Sequence, residues 1–268
     1  MARLTMAYSP CPNDTFMFND VAAGGLSASG YEVSVHLHDV ETLNRLALAA
    51  TYDVTKVSFH TYLLIRDPYQ LLNAGAALGF GCGPLLVARR PLTRAEIPGF
   101  RIAIPGELTT AHLLMRLWAP QAANKAFVPY DRVMPMVLAG EADCGVIIHE
   151  SRFVYQEAGL ACIADLGQWW ETETGCPIPL GCIVARKSLG TRTLAQLEAL
   201  LRQTILHSQA EPGAAAEYVR QNAIETSTAV TAKHIQMFVN EFSLDLGAAG
   251  HAAVTQLEER ARKAGIIP

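Results

Sequence analysis

Residues 83–89 read GPLLVAR and residues 179–186 read PLGCIVAR, two apolar runs of similar content on either side of the middle third of the chain. Short aliphatic runs opened by Gly or Pro are the pattern of strands buried on both faces. If these two runs carry the backbone from one lobe to the other and back, residues 88–183 form an inserted, smaller α/β lobe. Residues 1–87 together with 184–268 then form a larger α/β lobe that includes the C-terminal helices. A clamp follows from that arrangement, with two α/β domains joined by a two-strand hinge and a cleft between them.

Working outward, further strand-like runs fall at 4–8, 33–37, 54–59, 101–104 and 144–148, separated by stretches of helical period. That alternation is the pattern of parallel βαβ units. Asp39 is placed to cap a helix that buries Leu43, Leu46 and Ala47. A second helix begins near Thr109, and a third follows Asp131 and stops at Gly140, a residue suited to the left-handed position past a helix end. Helical patterns at 194–207, 214–222, 232–242 and 252–263 have no strands of their own to cover and are expected to pack back onto the larger lobe.

Half of the 268 residues are hydrophobic and 17% are charged, which is ample for a core and too apolar for disorder. The balance of 21 basic to 25 acidic residues includes no Lys/Arg-rich run, so a nucleic-acid partner has no electrostatic footprint. No run approaches the roughly 18 apolar residues of a membrane helix, and no basic and apolar leader precedes the first strand, so a cytoplasmic protein without membrane insertion is expected. The cysteines at 11, 82, 144, 162, 176 and 182 show no C-x-x-C spacing and read as free thiols.

Strand ends in open α/β sheets face ligand crevices, so residues just beyond the apolar runs are the candidates for chemistry. His149 follows the 144–148 run and is the first candidate for acid/base work, against the competing reading of a hydrogen-bonded structural histidine. Strand alternation would turn Glu150 to the opposite side and toward an ion pair with Arg152. Lys56, Val57 and Ser58 close another strand, with Ser58 as a hydroxyl contact or a buried hydrogen-bonded residue. Thr110 and Ala111 open a helix, whose unpaired N–H groups and positive end suit a carboxylate or polyol, while Thr109 caps it. In the Ser9-Pro10-Cys11-Pro12-Asn13-Asp14 turn, Asn13 or Asp14 can cap the next helix, and Cys11 has no local base to make it a nucleophile. His36 and His38 share a strand face but lack a third ligand, so no metal site is expected. Trp169 and Trp170 read as packing at the lobe junction.

The stretches SPCPNDTFMF (9–18), HDVETLNRLAL (38–48), TKVSF (55–59), GELTTAHLL (106–114), YDRVMPMVLAGEADCGVIIHESRF (130–153) and VNEFSLDLG (239–247) together resemble the 1,4-dihydroxy-6-naphthoate synthase family. That family serves the futalosine route to menaquinone. The resemblance implies a two-lobed periplasmic-binding-protein-like fold of the second type, used as a cytoplasmic enzyme without metal or organic cofactor. It implies cyclic dehypoxanthine futalosine as substrate, and 1,4-dihydroxy-6-naphthoate and dihydroxyacetone as products of a carbon–carbon lyase. It implies His149 as the base, with Lys56, Val57 and Ser58 on one side of the cleft and Thr110 and Ala111 on the other as substrate-binding positions. A chorismate dehydratase of the same pathway shares the fold but fits the H-E-S and S-P-C-P-N-D segments less well, and a non-catalytic small-molecule-binding protein is the reading from a different class.

Overall fold

The computed structural model describes residues 2–25, 30–223 and 227–268. Two mixed sheets organise it. The first contains β1 (Ala2–Tyr8), β2 (Tyr31–Leu37), β3 (Val54–Ser58), β4 (Tyr69–Leu71), β5 (Ala77–Gly79) and β11 (Ile178–Arg186), in the order β2-β1-β3-β11-β4 with β5 also paired to β11. The second contains β6 (Leu85–Ala88), β7 (Ile102–Ile104), β8 (Lys125–Phe127), β9 (Cys144–Ile147) and β10 (Ala161–Asp165), in the order β10-β6-β9-β7-β8.

The parallel strands expected from the alternating pattern are present, and each sheet also contains one reversed strand. β1, β2 and β3 run parallel, and β11 runs antiparallel to its neighbours β3, β4 and β5. In the second sheet β7, β8 and β9 run parallel, while β6 is antiparallel to β9 and β10. The two look-alike runs are thus the one reversed strand of each sheet. A strand buried on both faces has the same apolar content in either direction, so composition does not encode its sense.

The positions 87/88 and 183/184, expected as lobe boundaries, lie inside β6 and β11. The chain leaves the first sheet after Gly79 and joins the second at Leu85; it returns between Asp165 and Ile178 through α8 (Leu166–Thr174). The apolar runs are sheet members, and the crossing backbone is the Gly-containing segment 80–84 before β6 and α8 with residues 175–177 before β11.

Side-chain alternation on β6 shows how the second sheet is sandwiched. Leu85 and Val87 join Ala103, Ile147 and the α6 (Tyr130–Ala139) residues Val133 and Val137. Leu86 and Ala88 face the other way, toward Leu113 and Leu114 of α5 (Thr110–Trp118) and Leu166 and Trp170 of α8. That second cluster runs on into Cys182 and Val184 of β11 and Leu257 of α13 (Gly247–Lys263), so one apolar core joins the sheets. Trp170 is fully buried with its indole N–H on the Pro177 carbonyl, in line with the packing role expected of it.

The late helices cover the first lobe. α9 (Thr191–Ala210) buries Leu194, Leu197, Leu201 and Ile205 against β1, and α10 (Pro212–Asn222) packs on the short α1 (Pro12–Met17). The helix expected over 232–242 is two: α11 (Thr228–Phe238) and α12 (Glu241–Leu244). Asn240 breaks it, because its side chain accepts from Phe242 N–H, closes a capping box with Ser243, and donates to the Leu78 carbonyl of β5.

Candidate active site

β3 and α1 meet at a buried ion pair. All five residues of β3 are buried, and Lys56 Nζ lies 2.6 Å from Asp14 Oδ1 and 3.2 Å from the Gly75 carbonyl oxygen. Asp14 also accepts from Ser9 Oγ at 2.7 Å, from Ser9 N–H at 3.2 Å and from Asn13 Nδ2 at 2.9 Å. The capping role expected of Asn13 or Asp14 therefore does not hold. Cys11 occupies the cap position of α1, and both residues lie inside the helix, held by partners brought in from elsewhere in the fold.

His149 stands on a different backbone from the one its apolar run suggests. β9 ends at Ile147, and His149 has φ +56°, in the left-handed region that a residue with a Cβ seldom adopts. Strand alternation consequently does not apply to Glu150. Instead of pairing with Arg152, Glu150 is buried with Oε1 3.9 Å from Nδ1 of His234, while Arg152 lies 3.6 Å from Asp165 and donates to the Gly83 carbonyl.

The imidazole of His149 is bracketed by three groups. The Cys11 sulfur lies 3.4 Å from Nδ1, the Tyr130 ring is 4.8 Å away, and the His234 ring stacks at 6.1 Å with an interplanar angle of 10°. Burial lowers the basicity of His149, opposed by the nearby Glu150 and Asp14 carboxyls. Burial, followed by the same two carboxyls, raises the Cys11 pKa well above the ordinary thiol value, so this cysteine stays a thiol beside the histidine and no thiolate–imidazolium pair forms. The proximity of Cys11 to His149 had no local signal, since the two meet only through the fold.

Across the cavity, Thr109 caps α5 through the His112 N–H. Thr110 Oγ1 donates to the Leu180 carbonyl at 2.7 Å and accepts from His60 N–H at 3.3 Å, so its hydroxyl ties the lobes together. What α5 offers a ligand is therefore its first backbone N–H groups and the positive end of the helix. Ser58 Oγ and N–H are both held by the Asn44 amide, at 3.0 and 2.8 Å. One cavity between the sheets is lined by Lys56, Val57, Ser58, Thr110, Ala111 and His149 together. Arg152 also lines it, as do His234 and Phe238 from α11, which no motif singled out. His36 and His38 lie apart from it, bonded to Ser34 and Tyr52.

The family model for menaquinone biosynthesis matches residues 4–263. The 1,4-dihydroxy-6-naphthoate synthase of Thermus thermophilus is 44% identical over 99% of this chain and 96% of its own length, and that of Streptomyces coelicolor is 42% identical over 99% and 95%. The chain belongs to the menaquinone-biosynthesis family. A solved structure of an Archaeoglobus fulgidus protein superposes with a TM-score of 0.92 at 33% identity, covering 99% of this chain and 98% of that one. The alkanesulfonate-binding protein SsuA of Xanthomonas axonopodis pv. citri, solved with MOPS bound, shares the fold at a TM-score of 0.72 with 12% identity, covering 100% and 95%. The periplasmic-binding-protein-like architecture expected of a menaquinone-biosynthesis family member is therefore what the chain adopts, and the family resemblance stated from the sequence holds over nearly its full length.

Proposed function

We propose that this chain is a carbon–carbon lyase of menaquinone biosynthesis that converts cyclic dehypoxanthine futalosine to 1,4-dihydroxy-6-naphthoate with release of dihydroxyacetone, using His149 as general base. The observation that carries the reading is His149, an imidazole of lowered basicity in the cavity wall beside His234, sharing that wall with the N-terminus of α5. A neutral imidazole can take a proton, and the helix end suits the anionic or hydroxylated groups of such a substrate.

The substrate ring lies one elimination away from aromaticity. Removal of a proton by His149 Nε2 lets the sugar-derived carbons depart while the ring becomes aromatic, and the proton taken up is available for return to the departing fragment. For Nε2 to hold the free lone pair, Nδ1 must carry the hydrogen, with the Cys11 sulfur as its acceptor. In this reading Cys11 orients the base. Lys56, Val57, Ser58, Thr110 and Ala111 form the substrate-binding walls, with the Thr110 and Ala111 N–H groups as the donors left free by the hydroxyl contacts. The protein's own residues suffice for this chemistry, which calls for no metal or organic cofactor, and the reading places the enzyme in the cytoplasm.

His149→Asn tests it. Turnover of cyclic dehypoxanthine futalosine is expected to fall by at least the roughly 10²–10⁴-fold of a positioned base, while calorimetric affinity for the substrate survives. Turnover near the wild-type rate would exclude His149 as the base. Substrate binding without turnover by the wild-type protein would favour a binding function for the clamp.

A further inference from the structure

Behind His149 lies a pair of buried groups that the proposed reaction does not use. His234 is 1% exposed, and its Nε2 sits 2.9 Å from Asn13 Oδ1. The orientation of Asn13 follows from its other contact, because its Nδ2 donates to the Asp14 carboxylate at 2.9 Å. Turning the amide over would set a carbonyl oxygen against that carboxylate. Asn13 Oδ1 therefore accepts, His234 Nε2 carries a hydrogen, and on a neutral ring Nδ1 is a bare lone pair.

That lone pair faces another acceptor. Glu150 is 6% exposed, its Oε1 lies 3.9 Å from His234 Nδ1, and neither atom has a hydrogen-bond partner. Two unpaired acceptors buried against each other are each left without the bond that burial demands, and one added proton satisfies both with a closure of about 1 Å to ordinary hydrogen-bond length. We infer that Glu150 and His234 share one resident proton, so that the glutamate beside His149 is a neutral acid donating to His234 Nδ1 and fixing the imidazole that stacks on His149. Burial lowers the basicity of His234 far below its usual value, so its ring does not hold a second proton as an imidazolium.

Glu150 and His234 are then positioning residues. The groups that face the stacked histidines are Cys11, Asp14 and Lys56 from the first lobe, Tyr130 from α6 and Glu150 itself, and the Lys56–Asp14 pair is already mutually neutralised. A neutral Glu150 lacks the negative charge with which a carboxylate here opposes the effect of burial, and so leaves His149 at low basicity. The effect on turnover rests on the proposed role of His149, whereas the proton itself does not.

Infrared difference spectroscopy of the unliganded protein at neutral pH, wild type minus Glu150→Gln, isolates this carboxyl even though burial also raises the pKa of Glu41. A protonated-carboxyl band present in wild type and lost in the variant is expected. Its absence overturns the inference whatever the reaction turns out to be. For turnover, Glu150→Ala is expected to lower kcat/KM tenfold or more, and Glu150→Gln, which keeps a neutral donor toward Nδ1, to restore most of that loss with the acidic midpoint of the pH profile unmoved. A midpoint lowered by a unit or more in Glu150→Gln would show that an anion had been raising the basicity of His149, and would overturn the inference.

Discussion

At the scale of single residues, Lys56 lies in the cavity wall and also holds a buried ion pair. Its ammonium is 7% exposed and its carboxylate partner Asp14 2% exposed. Lys56→Met leaves a buried carboxylate without its cation and is expected to cost about 3–5 kcal/mol in a urea titration. Adding Asp14→Asn removes the stranded charge and should return part of that loss. A single variant as stable as wild type would mean that Asp14 finds another cation. The candidate site was partly legible because βα loops converge at strand ends, so Ser58, Thr110, Ala111 and His149 could be read from their places at strand and helix ends, whereas Lys56 and Val57 entered only through the family resemblance. Cys11 and His234 were not, since one sits in an ordinary strand-to-helix turn and the other on a helix whose pattern signals only packing. The misread Glu150 has a single cause: the strand ends at Ile147, two residues earlier than alternation requires for an argument about position 150.

At the scale of elements, the hinge depends on two glycines whose backbones touch. A Cβ on Gly83 would lie 2.3 Å from Gly167 Cα, and one on Gly167 would lie 2.7 Å from both Gly83 Cα and N. Neither clash can be relieved by a side chain swinging away, because each partner is backbone. Gly167→Ala must part the loop before β6 from the start of α8, where Leu166 N–H donates to the Pro84 carbonyl and Arg152 holds the Gly83 carbonyl. A loss of about 1–3 kcal/mol is expected in the denaturation midpoint, with Gly99→Ala, whose Cβ meets nothing within 4 Å, as a control near zero. Equal midpoints for the two variants would show that the crossing gives way freely. The direction of β6 and β11 and the break at Asn240 lay outside the sequence pattern. Strand sense and a cap that reaches Leu78 both depend on partners distant in the chain.

Across the whole molecule, the two lobes are held together by contacts that acid should loosen. His60 of α4 (Phe59–Leu64) in the first lobe and His112 of α5 in the second have ring centroids 6.5 Å apart, and His60 Nδ1 and His112 Nε2 are buried without partners. Burial pushes His60 down to about 4, helped by His112 and Arg116; burial likewise pushes His112 down to about 4, with Lys125 and Arg116 adding to it against the Glu107 carbonyl bond. His149 and His234 are shifted in the same direction by their burial. In each case the unfolded chain binds a proton near pH 6.5 that the folded chain refuses until a lower pH. The stability these groups contribute is complete above pH 6.5 and falls as the pH drops toward 4, where His60 and His112 begin to charge in the folded state. Each such proton adds a slope of at most about 1.4 kcal/mol per pH unit in that window. Urea midpoints measured from pH 7 to pH 4 should therefore fall steeply before most carboxylates titrate, and His60→Gln should flatten the curve by one proton's worth. A variant whose stability tracks wild type across the window would show that the refused proton belongs elsewhere. Because His60 and His112 sit on opposite lobes, charging both sets like charges across the junction, and acid should part the lobes along α4 and α5 before it disrupts either sheet.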